Sequence, residues 1–349
     1  MLNLRYVTST TAVLVSTPEN RRYLSGFQSS LGYLLLTQNG NKLFVDGRYI
    51  EAAKNNAVGV EVVLLKQFLS QLNAELSAQK VSKLLIENEV PFSFFNLLKK
   101  NLSVKVVPSK SLSDRLLTLR SVKKREELES ITAAQRIAEK AFLETLNFIK
   151  TGVTEKQIAA FLNYQMALLG SEKEAFETIA ISGCNTSLPH GVPTDKPVLN
   201  GEFVTMDFGA VINGYASDMT RTVAVGGVTE EMHKVYNTVL LAQSAAEKAV
   251  CAGALCNSVD SAARNVITNA GYGEYFTHST GHGVGLEIHE KPTLSPQNKA
   301  EKLRAGQVVT NEPGIYIPAN FGVRIEDMLY VRKNDCKNLT KAPKHLIIL

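Results

Sequence analysis

Cysteine is scarce in this chain. There are four in 349 residues, Cys184, Cys251, Cys256 and Cys336, and none forms a C-x-x-C pair. That excludes a disulfide scaffold and argues against a thiolate zinc site. The thiols are expected to be reduced and mostly buried, in a cytoplasmic protein. Long apolar runs are also missing. Between Met1 and Glu19 the longest is Ala12 to Val15, whereas a signal-peptide core needs about 7–15 residues. No segment approaches the roughly 18 apolar residues of a membrane-spanning helix, so no membrane partner is expected. Nor is there a large excess of one charge: Lys+Arg is 38 and Asp+Glu is 33, a formal net charge of +5. Spread over this length, it predicts little salt-dependent affinity for nucleic acid. The basic clusters Lys99-Lys100 and Lys123-Lys124-Arg125 are short and read as solvated faces.

What remains is an ordinary globular composition, 44% hydrophobic and 20% charged, long enough for about two domains at roughly 150 residues each. The first third alternates strand and helix signals. Leu31 to Thr37 and Lys42 to Val45 read as a hairpin turning at Asn39-Gly40. Glu61 to Leu65, Val81 to Ile86 and Val104 to Val107 read as strands. Gln67 to Gln79 and Ser93 to Lys100 read as helices. This predicts a small α/β domain over residues 1–120. From Ser121 to Ile149 the apolar positions Leu128, Ile131, Ala134, Ile137, Ala141 and Phe142 line one face of a long helix. Thr154, with Gln157 three residues on, is a capping-box start for the next helix. Strands follow, then helices over Glu230 to Val250 and Ser258 to Ala270, then strands again. Residues 121–349 thus read as a second domain with a duplicated topology: helix, helix, strands, twice.

The chemistry concentrates in those strand-rich stretches. In Val204 to Val225, Asn213-Gly214 is a type I′ hairpin signal. Counting outward from that turn, Gly209 faces Asp218 and Asp207 faces Thr220. Asp207 and Asp218 are then diagonal neighbours on one sheet face, with Cβ atoms roughly 7 Å apart or a little less. Two carboxylates so placed can chelate a cation; without one they repel. Val308 to Val331 carries Glu312 and Glu326 on a second apparent hairpin, with Arg324 two residues from Glu326 and on its face. Phe276 to Glu290 places His278, His282 and His289 in a glycine-rich run, and His190 lies in a Pro/Gly loop before the first hairpin. One acid in a strand is usually surface charge, and a lone histidine is usually structural. Asp327 points away from Glu326 by strand alternation and reads as structural. Glu287, Glu290, His233 and His345 have no partner acid in such a setting. Four acids among apolar neighbours, with imidazole, suit Mn²⁺, Co²⁺, Fe²⁺ or Zn²⁺. They are more ligands than one catalytic cation needs and fit a two-metal site.

These residues make the chain recognisable. It resembles the pita-bread metallopeptidases, the group of methionine aminopeptidase, Xaa-Pro aminopeptidase and prolidase, over nearly its whole length. The resemblance is carried by Ser187 to Pro193, Met206 to Thr222, His278 to Glu290, Glu312 to Pro318 and Gly322 to Asp327, in the family's order. It implies a fold in which an N-terminal creatinase/prolidase-like α/β domain precedes a pita-bread domain with pseudo-twofold duplication. The metal ligands it implies are Asp207, Asp218, His282, Glu312 and Glu326. The catalytic residues it implies are His190, His278, His289, Glu312 and Arg324.

The proline-specific branch fits best, because Tyr23 to Phe27 and Asp46 to Tyr49 resemble that branch's N-terminal domain and Arg324 to Asp327 its last motif. The expected function is an Xaa-Pro aminopeptidase, with an Xaa-Pro dipeptidase (prolidase) as the alternative. A non-catalytic relative of the fold is disfavoured by the full ligand set. The resemblance further implies two divalent ions per chain, Mn²⁺ foremost, with Co²⁺ or Zn²⁺ as substitutes. By the same resemblance Asp218 and Glu326 are expected to bridge both, Asp207 to complete one, and His282 with Glu312 to complete the other. Glu312 is expected to move the proton, His289 and His190 to face the scissile carbonyl, and His278 and Arg324 to line the site or orient ligands. Proline-containing peptides and a second copy of the chain, in a homodimer, are the implied partners.

Overall fold

In the first 120 residues, every second residue of the central strand is apolar on each side, so both faces of its sheet must be covered. A computed structural model, describing residues 5–349, meets that requirement. (Residues 1–4, part of the stretch read for a signal peptide, lie outside the described residues.) The elements are β1 (Thr11–Val15), α1 (Pro18–Ser25), β2 (Gly32–Thr37), β3 (Gly40–Val45), α2 (Ile50–Asn56), β4 (Glu61–Leu64), α3 (Phe68–Ala78), β5 (Lys83–Glu87), α4 (Phe92–Asn101), β6 (Lys105–Ser109) and α5 (Lys110–Ser121). The sheet order is β4-β3-β2-β1-β5-β6. Ala12 and Leu14 pack with Leu72, Leu76 and Leu98 from α3 and α4 on one face. Val13 and Val15 pack with Ala53, Leu112 and Leu116 from α2 and α5 on the other. Fully burying each such large aliphatic side chain contributes about 1.5–3 kcal/mol.

The first hairpin turns one residue earlier than the sequence predicts. Thr37 pairs with Gly40, leaving Gln38-Asn39 as the turn. This register sets Tyr33 opposite Phe44 and Leu34 opposite Leu43. Cross-strand apolar pairing outweighs the Asn-Gly turn preference here.

Two compact units are resolved by their internal contacts, Met1–Arg120 and Ser121–Leu349. The second contains α6 (Arg125–Phe148), α7 (Glu155–Leu168), β7 (Ile179–Ser182), β8 (Glu202–Phe208), β9 (Val211–Ile212), β10 (Tyr215–Ala216), β11 (Met219–Val225), α8 (Glu230–Ala249), α9 (Cys256–Asn269), β12 (Gly281–Gly283), β13 (Glu290–Leu294), β14 (Val308–Asn311), β15 (Gly314–Ile317), β16 (Phe321–Arg324), β17 (Asp327–Val331) and β18 (Cys336–Asn338). Helix α6 starts four residues later than expected, because Lys123 lies outside it and donates its N–H to Gly306 O. The Glu127 carboxylate then caps the Lys124 N–H at 2.9 Å. Thr154 and Gln157 form the reciprocal cap of α7.

The duplication is plain in the packing. Helices α6 and α7 bury Ala138, Phe142, Ile158 and Leu162 against Val204, Met206 and Val223 of the sheet β11-β8-β7. Helices α8 and α9 bury Val235, Val239, Val259 and Ala263 against Val309, Leu329 and Val331 of the sheet β13-β12-β14-β17-β18. No helix among the described residues is long and apolar enough to cross a membrane.

Two expectations need correcting. The cysteines are unpaired, but only Cys256 is buried; Cys184 is exposed and the other two are half-buried. And Lys123 is not part of a solvated face. Its ammonium meets the Glu290 carboxylate at 2.8 Å, with both side chains 1% exposed. A charged residue outside the helix and beside a buried acid follows that acid rather than the solvent.

Candidate metal centre

The first hairpin keeps the register counted from Asn213-Gly214. Ile212 faces Tyr215, and Asp207 faces Thr220. Asn213 takes the positive φ (47°) that such a turn requires. Asp218 lies in the break between β10 and β11, with its side chain buried. The second hairpin behaves alike: Asn311 faces Asp327 in one segment and Gly314 faces Arg324 in the next, with unchanged register. Glu312 and Glu326 sit opposite each other in the break between these segments. Their own N–H groups are satisfied across the fold, by Thr280 O at 2.8 Å and Thr220 O at 3.1 Å. Asp218, Glu312 and Glu326 thus lie where strands leave one ladder for another, Asp207 is one residue from the end of β8, and the carboxylates project inward.

His282, on β12, completes the cluster. Its Nδ1 lies 3.1 Å from Gly283 O, so that nitrogen carries the proton and donates. Its Nε2 faces Glu312 Oε1 at 3.3 Å and Asp218 Oδ2 at 3.7 Å. In the metal-free protein Nε2 donates to the acids; once deprotonated, the same nitrogen is aimed to bind a cation among them, as in metal sites whose second ring nitrogen is held by a carbonyl. Ligand atoms of Asp218, His282 and Glu326 all lie within 4.8 Å of one another. Asp207 is tied to Arg324 Nη2 at 2.7 Å through Oδ2, while its Oδ1 is buried without a hydrogen-bond partner. A buried carboxylate oxygen left without a donor is costly; a cation relieves it.

The electrostatics agree. Burial, reinforced by the neighbouring acids, pushes the Asp218 and Glu326 carboxyls well above the usual carboxylate range. Asp207 is raised too, by burial, against the pull of Arg324. Burial alone would lower His282, but its hydrogen bond to Glu312 and the charges of Glu312 and Asp218 lift it to about 9. Burial would raise Glu312, but His282 holds it down. Four acids cannot all ionise in a buried space without added positive charge. An all-oxygen set with one imidazole and no thiolate fits hard or borderline divalent cations.

Around this cluster the structure assigns partners that sequence reasoning missed. Thr220 Oγ1 donates to Glu326 at 2.7 Å and accepts from Arg324 Nε at 3.0 Å. Thr310 Oγ1 donates to Glu312 at 3.0 Å. Tyr316, buried, accepts from Arg324 Nη1 at 2.7 Å and lies 2.9 Å from His278 Nε2. Because His278 Nδ1 is 2.8 Å from Ser279 O, Tyr316 donates to Nε2 and the ring is neutral, in line with the downward push of burial. Nothing in the one-letter pattern distinguishes these threonines from others in strands. Period-2 counting offered the one available signal for Thr220, since it places that residue opposite Asp207.

The histidines divide. The His289 ring lies 4.3 Å from that of His282, and burial and His282 lower its pKa. His190 is exposed, yet close enough to add to the lowering at both His278 and His289. It hydrogen-bonds none of the four acids among the described residues. Asp327 is structural as expected: it is buried and holds Arg221 at 2.8 Å and Lys344 at 2.8 Å.

Comparison with known proteins matches the same regions. Residues 129–333 match the model of metallopeptidase family M24, and residues 8–122 match that of the creatinase/prolidase N-terminal domain. The chain is 39% identical to an Xaa-Pro dipeptidase of Pyrococcus horikoshii over 96% of its own length and 94% of that protein. It is 38% identical to the solved structure of an Xaa-Pro dipeptidase from Bacillus anthracis, with a TM-score of 0.93, covering 97% of this chain and 95% of that one. It is 37% identical to an X-Pro aminopeptidase structure from Thermotoga maritima, with a TM-score of 0.91, covering 97% and 96%. Two sheet-and-helix halves meeting at four inward acids, and matches of this length, lead to one assignment: the chain belongs to metallopeptidase family M24, the pita-bread metallopeptidases, with a creatinase/prolidase N-terminal domain, and its chemistry is that of a divalent-metal-dependent hydrolase.

Proposed function

We propose that this protein hydrolyses the bond between an N-terminal residue and a following proline, with the Xaa-Pro dipeptide as its preferred substrate. The sequence leaned toward the aminopeptidase; the dipeptidase names of the relatives from Pyrococcus horikoshii and Bacillus anthracis favour the other member of the pair. The observation that carries the reading is the inward convergence of Asp207, Asp218, His282, Glu312 and Glu326 beside Arg324. Two ions per chain, Mn²⁺ by preference, are the proposed complement, held by those five residues. The division of labour follows the boundary near residue 120: residues 121–349 carry the catalysis and residues 1–120 form the accessory domain. A homodimer in the cytoplasm completes the proposal.

When bound, divalent cations supply Lewis acidity, polarising the scissile carbonyl and acidifying water. Glu312 accepts the proton of the attacking water as its oxygen bonds to the carbonyl carbon. It returns that proton to the proline nitrogen as the C–N bond breaks. That nitrogen is tertiary in the peptide and cannot leave without one. His289 and His190 donate to the carbonyl oxygen as it gains charge. Arg324 fixes Asp207 through a charge-assisted bond of 2.7 Å, so Asp207 keeps one oxygen turned inward toward the substrate amine.

The test is a side-by-side assay of Ala-Pro and Ala-Pro-Ala with Mn²⁺-loaded protein and a chelated control. Cleavage of Ala-Pro with little or none of Ala-Pro-Ala is expected. Release of alanine from the tripeptide at a comparable rate would return the assignment to the aminopeptidase. Turnover unaffected by chelation would reject the metal-dependent reading altogether.

A further inference from the structure

The loop over residues 183–194 carries His190, and none of the five proposed metal ligands. Its two ends are held by one side chain. Glu155, at the first turn of α7, is fully buried. One carboxylate oxygen accepts from Ser182 N at 2.7 Å, Ser182 Oγ at 3.1 Å and Asn185 Nδ2 at 3.0 Å. The other accepts from Thr194 N at 2.9 Å, Thr194 Oγ1 at 2.7 Å and Asn185 Nδ2 at 3.2 Å. Every partner is a donor, and the two oxygens divide between the entry and the exit of the loop. The middle of the loop is pinned from the second hairpin. Gly322 N donates to Thr186 Oγ1 at 2.8 Å, and Arg324 Nη1 donates to Pro189 O, the residue before His190, at 3.3 Å.

His190 itself is exposed, so its own packing does not place it. We infer that Glu155 is a positioning residue of the reaction: it closes the loop so that His190 is held at the scissile carbonyl. The inference rests on the reading of His190 as a donor to that carbonyl. The mechanism is entropic and geometric. A loop of this length fixed at both ends and at two points between them has little freedom left. A displacement near 1 Å at a reacting group costs about 10²-fold in rate. Glu155→Gln keeps the volume and one acceptor oxygen, but turns an NH2 donor toward donors at one end of the loop, releasing that end.

The measurement is a double-mutant cycle on the Mn²⁺-loaded enzyme with Ala-Pro, reading kcat, KM, metal content and thermal midpoint for E155Q, H190A and both. E155Q is expected to lower kcat by about 10-fold or more, with KM little changed and metal content as in the parent. In the H190A background it is expected to cost less than about 2-fold further, because what it positions is already gone. Parent-like kcat in E155Q with H190A impaired would overturn the role of Glu155 alone. Equal losses from E155Q in both backgrounds would overturn it too, marking a general structural effect. Parent-like kcat in H190A would refute the reading of His190, whatever E155Q does. If E155Q does not fold, S182A/T194V removes both hydroxyl donors while keeping the carboxylate, and the same loss of kcat and the same dependence on His190 are expected.

Discussion

Replacing Lys123 by Met removes the ammonium that faces a buried carboxylate. The pair is 2.8 Å apart and each side chain is 1% exposed. Glu290 also accepts the Glu287 N–H at 3.2 Å through its other oxygen. Lys123 Nζ and Glu290 Oε2 crowd Gly285 so closely that a Cβ there would lie 2.6 Å from each. Removing one member of such a pair typically costs 3–5 kcal/mol, most of it the penalty of the orphaned charge, whereas replacing both members is often near neutral. Lys123→Met should therefore destabilise the metal-loaded protein by about 3–5 kcal/mol, lowering the melting temperature by roughly 2–4 °C per kcal/mol for a unit of this size. Glu290→Leu should cost about as much, and the double variant less than either. Chemical denaturation followed by far-UV circular dichroism measures all four, the chain having no Trp to report. Additive losses, or a Lys123→Met cost below about 1 kcal/mol, would refute the reasoning, since that is the behaviour of a solvated pair.

Three further outcomes follow from the site. Asp218→Ala should abolish turnover and lower the bound metal below two ions per chain by elemental analysis, with the circular dichroism spectrum retained; full turnover would remove the dinuclear reading. His289→Ala should lower kcat by about 10²-fold, as loss of an oxyanion donor does, while metal content stays at the parental level. The third concerns pH. In metal-free protein the His282 pKa lies near 9 rather than at 6.5; its stabilising contribution is complete below 6.5 and is lost as pH rises through 9, a decline on the order of 3 kcal/mol at 1.36 kcal/mol per unit. The raised Asp218 and Glu326 act in the same direction. Chelated protein should melt lower at pH 9 than at pH 6.5, and metal-loaded protein should not, because its His282 is a neutral ligand throughout; equal slopes with and without metal would contradict this.

Much of the fold was legible because its signals are local. The Asn213-Gly214 turn sets a register that runs outward without a slip, so the position of Asp207 opposite Thr220 can be counted from the turn alone. The Thr154–Gln157 cap and the apolar face of α6 are local in the same way. At Gln38-Asn39 the local signal competed with the pairing of Tyr33 with Phe44 and lost. Helices α2 and α5 have no comparable signature, whereas α1 is bounded by Pro18 at its start and Gly26 (φ 70°) at its end. Lys123 was misread because its partner Glu290 is 167 residues away in the chain, and no periodicity connects them.

The less legible part of the centre is its support, and the physical reason is general. A ligand set shows itself as carboxylates in apolar surroundings, where a charge needs an explanation. The residues that aim those carboxylates are neutral or satisfied, and so leave no such mark: Thr220 between Glu326 and Arg324, Thr310 on Glu312, Tyr316 between Arg324 and His278. Arg221 shows how much can rest on one of them. It is fully buried, paired with Asp327, and donates to the backbone carbonyls of Thr220, Glu326, Ala342 and Pro343. It therefore couples the placement of Glu326 to the last residues of the chain, whose strand-like bonds to Ala224 run beside β11. An arginine that answers an aspartate and four carbonyls at once has no conservative replacement. Arg221→Lys keeps the charge yet can satisfy only part of this set, so the geometry of Glu326 depends on a residue that never faces the cluster.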